Sequence, residues 1–301
     1  MVSPFSWAAA EPSDTPLAEA YTACARAARR HDERFRITLR LLPPAMRPHV
    51  VAIHAFADGA SAFAGAGEHS DTERECLLDD WLHRLRAAAR NESGDDPASI
   101  FAAIGHTIRV HQLPVQLFED LIGAFRQDVL VKRYAKWDDL IDYCRRAANP
   151  VGRLVLRVGG LDDPALDRAS DAMCTAVRLT GFWHDVARDW RMGRVYVPRE
   201  DLDACGAREA DLDGGSTSEG WRTALAASAG RTRALFEDGR QLCDRVTGRL
   251  GFERRVAWLG GMMALERFER SGFDVFGPGP SVTAMDVPQL LWQAARWKHA
   301  H

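Results

Sequence analysis

Two acidic residues, Asp185 and Asp189, stand four positions apart in the stretch Gly181-Phe182-Trp183-His184-Asp185-Val186-Ala187-Arg188-Asp189. On a helix that spacing puts both carboxylates on one face, one turn apart. Arg188 lies beside them, and Arg194 and Tyr196 follow in Gly193-Arg194-Val195-Tyr196-Val197-Pro198. Carboxylates so placed can hold Mg2+, which bridges them to phosphate oxygens, while guanidinium and phenol groups donate to the same anion. The chemistry such a set can do is the ionisation of a diphosphate ester. Two Asp at this spacing also occur on solvated or Arg-paired helix faces. The flanking aromatic residues and the Gly-Arg-x-Tyr-x-Pro run make the segment specific.

A second constellation is His54 and Asp58, again four apart on one helix face. One reading is an acid/base pair that faces a cavity and moves a proton; the other is a histidine held by a nearby carboxylate for structure. His184, next to Asp185, either orients a metal-bound water or packs. Phe56, Phe63, Phe182 and Trp183 could shield a carbocation through cation–π contact, although aromatic residues at helical spacing are usually core. Arg47, Arg153 and Arg157 are either further diphosphate donors or ordinary surface arginines.

These residues need helices to position them, and the chain reads as helix after helix. Helices are expected over 15–30, 45–63, 71–90, 99–110, 115–131 and 137–148, with Asn149-Pro150 breaking or kinking the next. Leu161-Asp162-Asp163-Pro164 introduces a long helix reaching about Met192, which carries the acidic pair. Residues 201–215 read as a loop, 218–250 as one long helix, 252–272 as another and 288–298 as a short last one. No repeat or linker divides the 301 residues, which predicts a single all-α domain over 1–301 with a central cavity and a flexible stretch over 1–14.

With 46% hydrophobic and 27% charged residues and a net charge of −3, nothing in the balance points to nucleic acid. Six scattered cysteines without a C-x-x-C fit a reducing cytoplasm, and no apolar run is long enough to span a bilayer. Oligomeric state is not legible.

The acidic segment resembles the second aspartate-rich motif of the squalene/phytoene synthase family, most closely its hopanoid-pathway branch. Leu41-Leu42-Pro43 to Phe56, Arg133-Tyr134 with Tyr143 to Gly152, and Gly272 to Phe276 resemble other stretches of the family, so the likeness covers roughly residues 20–295. It implies the isoprenoid-synthase all-α fold, Mg2+ dependence and an allylic prenyl diphosphate substrate. It also implies cavity positions for Asp128 and for Asn149, where Asn149-Pro150 would kink a helix and the Asn side chain would serve freed backbone groups.

The departures are as informative. Where the family carries its first aspartate motif, this chain reads Asp58-Gly59-Ala60-Ser61-Ala62-Phe63-Ala64-Gly65, and Gly181 replaces a metal-binding Asn. Ser61 and its small neighbours cannot chelate Mg2+, and a second diphosphate would face Asp58 as a like charge. One diphosphate site remains. A set of phytoene-synthase-like enzymes that prenylate carbazoles resembles this pattern. The expected activity is therefore transfer of a prenyl group, dimethylallyl by expectation, to a small aromatic acceptor such as a carbazole in secondary metabolism. The acceptor would lie near Ser61, Phe63, Asp128, Asn149 and Trp183, with small residues at 59–67 making room. Two other readings stand beside it: a hydroxysqualene or squalene synthase-like enzyme acting on presqualene or farnesyl diphosphate, and a non-catalytic isoprenoid-binding or partner subunit.

Overall fold

Prolines and polar caps start most of the helices, and glycines follow several of their ends. In the computed structural model, which describes residues 16–28, 38–65, 69–92, 99–277 and 282–298, residues 38–41 are helical and twelve α-helices lie wholly within the described residues. They are α1 (Pro16–Ala28), α2 (Arg47–Ala64), α3 (Asp71–Ala89), α4 (Ile100–His111), α5 (Val115–Leu130) and α6 (Trp137–Ala147). Then come α7 (Asn149–Val158), α8 (Pro164–Arg191), α9 (Arg199–Ala204), α10 (Glu219–Arg245), α11 (Gly248–Arg270) and α12 (Val287–Ala295). Among the described residues the only β pairing is an isolated bridge between Arg133 and Val195. The flexible segment expected over 1–14 lies outside the described residues.

The long helix α8 shows how local sequence sets the frame. The Asp163 carboxylate accepts from Ala165 N at 2.7 Å, and Pro164 fills the first turn, where no N–H is needed. At the other end Gly193 takes φ +74°, and Arg194 N closes back on Asp189 O at 2.8 Å, satisfying a carbonyl the helix would orphan. Helix α8 packs along α10 and also against α7 and α11. The apolar core runs through α1 to α11, and a smaller cluster sits between α11 and α12.

Three expectations are corrected. The stretch 201–215 holds the end of α9 and a 3-10 turn, Glu209–Gly214, rather than an irregular loop. The helix expected over 218–250 ends at Arg245. Val246 and Thr247 are extended, and Gly248 takes φ +65°, so two β-branched residues before a glycine redirect the chain. At Asn149-Pro150 the helix is broken, as expected, at Ala148 (φ −129°, ψ −46°), but the Asn149 side-chain oxygen Oδ1 accepts from Thr175 Oγ1 at 2.9 Å instead of serving the backbone.

Candidate active site

Helix α8 carries the acidic pair near its C-terminal end. The Asp185 side chain is 36% exposed, whereas that of Asp189 is 7% exposed. Arg188 Nη2 lies 2.6 Å from Asp185 Oδ2 and 3.7 Å from Asp189 Oδ1, so its guanidinium stands between the two carboxylates. Burial pushes the Asp189 carboxyl up to about 6; Arg188 opposes the shift and the like charge of Asp185 adds to it. Two carboxylates in mutual repulsion, one largely desolvated, form a donor set that a divalent cation would relieve. Among the described residues no third His, Cys, Asp or Glu joins them. That fits Mg2+, which keeps waters and shares its remaining positions with phosphate oxygens.

Behind the pair lies a polar network. The buried Asp128 on α5 accepts from Tyr143 Oη at 2.7 Å and from Tyr196 Oη at 3.1 Å. Arg178, two turns before Asp185 on α8, donates to Tyr143 Oη at 3.2 Å, and its guanidinium lies 4.8 Å from the Phe182 ring centre. Phe182 in turn stacks on Tyr196 with ring centres 3.7 Å apart. Burial holds the Tyr143 hydroxyl well above its ordinary pKa, so it remains a donor. The expectation that Tyr196 donates to a diphosphate finds its hydroxyl donating to Asp128. Arg194 donates to the carbonyls of Ala64 and Asp128, which ties the ends of α2 and α5 together and brings its charge to bear on Asp189.

An apolar cavity of about 320 Å³ opens among α2, α7, α8 and α11. Val50, Val155, Met173 and Val177 supply its hydrophobic wall, and His54, Arg178, Glu253 and Arg254 its polar positions. Helix α8 runs from this wall to the carboxylates, roughly 10–16 Å further along at 1.5 Å per residue.

The remaining expected residues divide clearly. His54 reaches the cavity, and Asp58, one turn on, is half-buried. Ser61 is exposed, with its hydroxyl on the Asp58 carbonyl at 3.0 Å, and Phe63 packs edge-on against Trp81. The room expected at 59–67 is not open at Gly59. A Cβ there would meet Trp81 Cζ2 at 2.5 Å, and residues 66 and 67 lie outside the described ones. Trp183 does not line the cavity: it is fully buried, and its indole donates to Thr232 Oγ1 at 2.9 Å between α8 and α10. His184 packs edge-on against Phe268. Arg153 and Arg157 pair with Asp171 and Asp167 of α8, and Arg47 donates to the Leu42 and Arg40 carbonyls, so none of the three turns to a diphosphate.

Sequence reading missed Arg178, Tyr143, Glu253 and Arg254. A signal existed for two of them. Arg178 is seven residues from Asp185, hence on the same helix face, and Glu253 sits between Leu250 and Ala257 at helical spacings of three and four.

Residues 28–286 match the family model described as squalene/phytoene synthase. The hydroxysqualene synthase of Zymomonas mobilis is 34% identical over 209 residues, 68% of each chain. That of Rhodopseudomonas palustris is 33% identical over 227 residues, 75% of each. The crystal structure of squalene synthase HpnC from Alicyclobacillus acidocaldarius superposes with a TM-score of 0.78 at 37% identity, covering 85% of this chain and 95% of that one. These likenesses overturn the expected transfer of a dimethylallyl group to a carbazole-type acceptor, because the relatives are named for hydroxysqualene and squalene synthesis. Trp81 against Gly59 removes the structural argument for a flat acceptor beside α2.

Proposed function

The chain belongs to the squalene/phytoene synthase family, and from that premise we propose that it converts presqualene diphosphate to hydroxysqualene. One observation carries the choice of a single-diphosphate substrate. Asp185 and Asp189 form one acidic pair on α8, while the stretch of α2 from Asp58 to Ala64 offers no carboxylate beyond Asp58. A reaction that starts from one preformed thirty-carbon diphosphate needs only one such site.

Asp185 and Asp189 would hold Mg2+, which supplies charge neutralisation to the diphosphate when bound. Arg188, 63% exposed, is free to swing from between the carboxylates onto a phosphate oxygen. Arg194 keeps a fixed positive charge beside Asp189 as the C–O bond ionises. The hydrocarbon lies along the apolar wall of α7 and α8, and once seated it keeps bulk water from the cation until one water reaches it. His54, which lines the cavity from α2, is a candidate to orient that water.

Incubation of the full chain with Mg2+ and either presqualene or farnesyl diphosphate, with products read by mass, tests the reading. A thirty-carbon alcohol from presqualene diphosphate, and no coupling of two farnesyl units, is the expected result. A coupled product from farnesyl diphosphate alone would refute it.

A further inference from the structure

Glu253 is the one carboxylate among the described residues that line the cavity, and it is 2% exposed. Its partner is the next residue, Arg254, whose Nε and Nη2 both reach the same oxygen, Oε2, at 2.5 Å. Neighbouring residues on a helix point about 100° apart, so this pairing requires both side chains to fold back along α11. Both contacts fall on Oε2, so Oε1 takes no part in the pairing with Arg254. A charged pair in an apolar wall costs desolvation that its own attraction need not repay. A site where water must be held next to a carbocation gives the pair a use.

We infer that Glu253 is the catalytic base of the capture step: Oε1 holds the water that attacks the carbocation, and the carboxylate takes its proton. This rests on the reading of the chain as a presqualene diphosphate ionising enzyme. The C–O bond to the diphosphate breaks with its electron pair leaving on pyrophosphate. A lone pair of the water oxygen forms the new C–O bond, and the O–H bond breaks with its proton passing to Glu253. Arg254, held on Oε2, keeps the carboxylate in place and turns Oε1 to the cavity. Burial raises the pKa of Glu253 above the ordinary carboxylate value against the pull of Arg254, which suits a proton acceptor. Without the base, the cation loses a proton from its own carbon skeleton and a hydrocarbon forms instead of an alcohol.

The test follows pyrophosphate released and alcohol formed from presqualene diphosphate in 18O-labelled water, for the unsubstituted chain, E253Q, E253D and H54Q. In E253Q the ratio of 18O-alcohol to pyrophosphate should fall on the order of tenfold or more, with hydrocarbon making up the difference. E253D should restore part of it. If E253Q fails to fold, the double variant E253Q/R254Q, which removes both charges together, carries the same measurement. An unchanged ratio in E253Q, or a loss seen with H54Q and not with E253Q, overturns the inference while leaving the ionisation reading intact. Absence of pyrophosphate release by the unsubstituted chain overturns both.

Discussion

Asp128→Asn strikes the network behind the acidic pair, and its cost can be worked from two bonds. Tyr143 and Tyr196 each donate to a different oxygen of Asp128, at 2.7 and 3.1 Å, inside a buried cluster. An asparagine keeps one acceptor oxygen and presents an NH2 to the other tyrosine, so one hydroxyl loses its acceptor. Hydrogen bonds to charged groups contribute about 1.5–3 kcal/mol, and a buried donor left unpaired carries its own desolvation cost. Arg178, joined to the same Tyr143 hydroxyl, also loses the nearby carboxylate charge. The expected destabilisation is about 2–4 kcal/mol, which lowers the melting temperature by roughly 4–8 °C in a chain of this size. Urea unfolding of D128N, Y143F and D128N/Y143F gives the cycle, with an expected coupling of about 1 kcal/mol or more. A D128N stability within about 0.5 kcal/mol of the unsubstituted chain, or a coupling of zero, would show that Asp128 does not organise the cluster.

Other consequences can be measured separately. Asp185→Asn and Asp189→Asn should each cut Mg2+-dependent pyrophosphate release by about a hundredfold or more, without a comparable loss of stability. Arg188→Met should tighten Mg2+ binding to the substrate-free protein by up to about fivefold, since it removes a competing cation held by a partly exposed ion pair; calorimetric titration reads this directly. Gly59→Ala should destabilise by about 1–3 kcal/mol through its clash with Trp81, and Gly59→Ala/Trp81→Leu should recover much of that. His49, wedged by Tyr21, Thr107 and His111, is held down to about 4, first by burial and then by its neighbouring histidines. Its neutral form is the folded one, so the stability it contributes is complete above about pH 6.5 and is lost as pH falls toward 4. His49→Gln should flatten the stability profile across that window.

Much of the helical framework was readable because its signals are local. Prolines at the starts of α7 and α8, the Ser70–Glu73 capping box of α3, and glycine after α8 all act within one turn. Asp185 and Asp189 were readable for the same reason: spacing alone places them together. Trp183 was not, because whether an aromatic residue on α8 turns to the cavity or to Thr232 is decided by α10, fifty residues away. The run Glu253-Arg254-Arg255 has the composition of a solvated face, which masks the helical spacing of Glu253 from Leu250 and Ala257 until α11 packs against α8. The small residues near Gly59 read as empty space because the side chain filling it, Trp81, belongs to a different helix.

The continuity of α8 has a bearing on how such a site can change over generations. One unbroken helix of 28 residues bears both the apolar cavity wall and the acidic pair, so under the proposed function it works as a graduated scale. Each turn advances about 5.4 Å along the helix from the acidic pair. A replacement at Val177 or Met173 therefore alters which stretch of the carbon skeleton is accommodated, and the acids keep their separation. Under that reading, length preference and ionising power sit on the same element at different heights, and selection can retune the first without rebuilding the second.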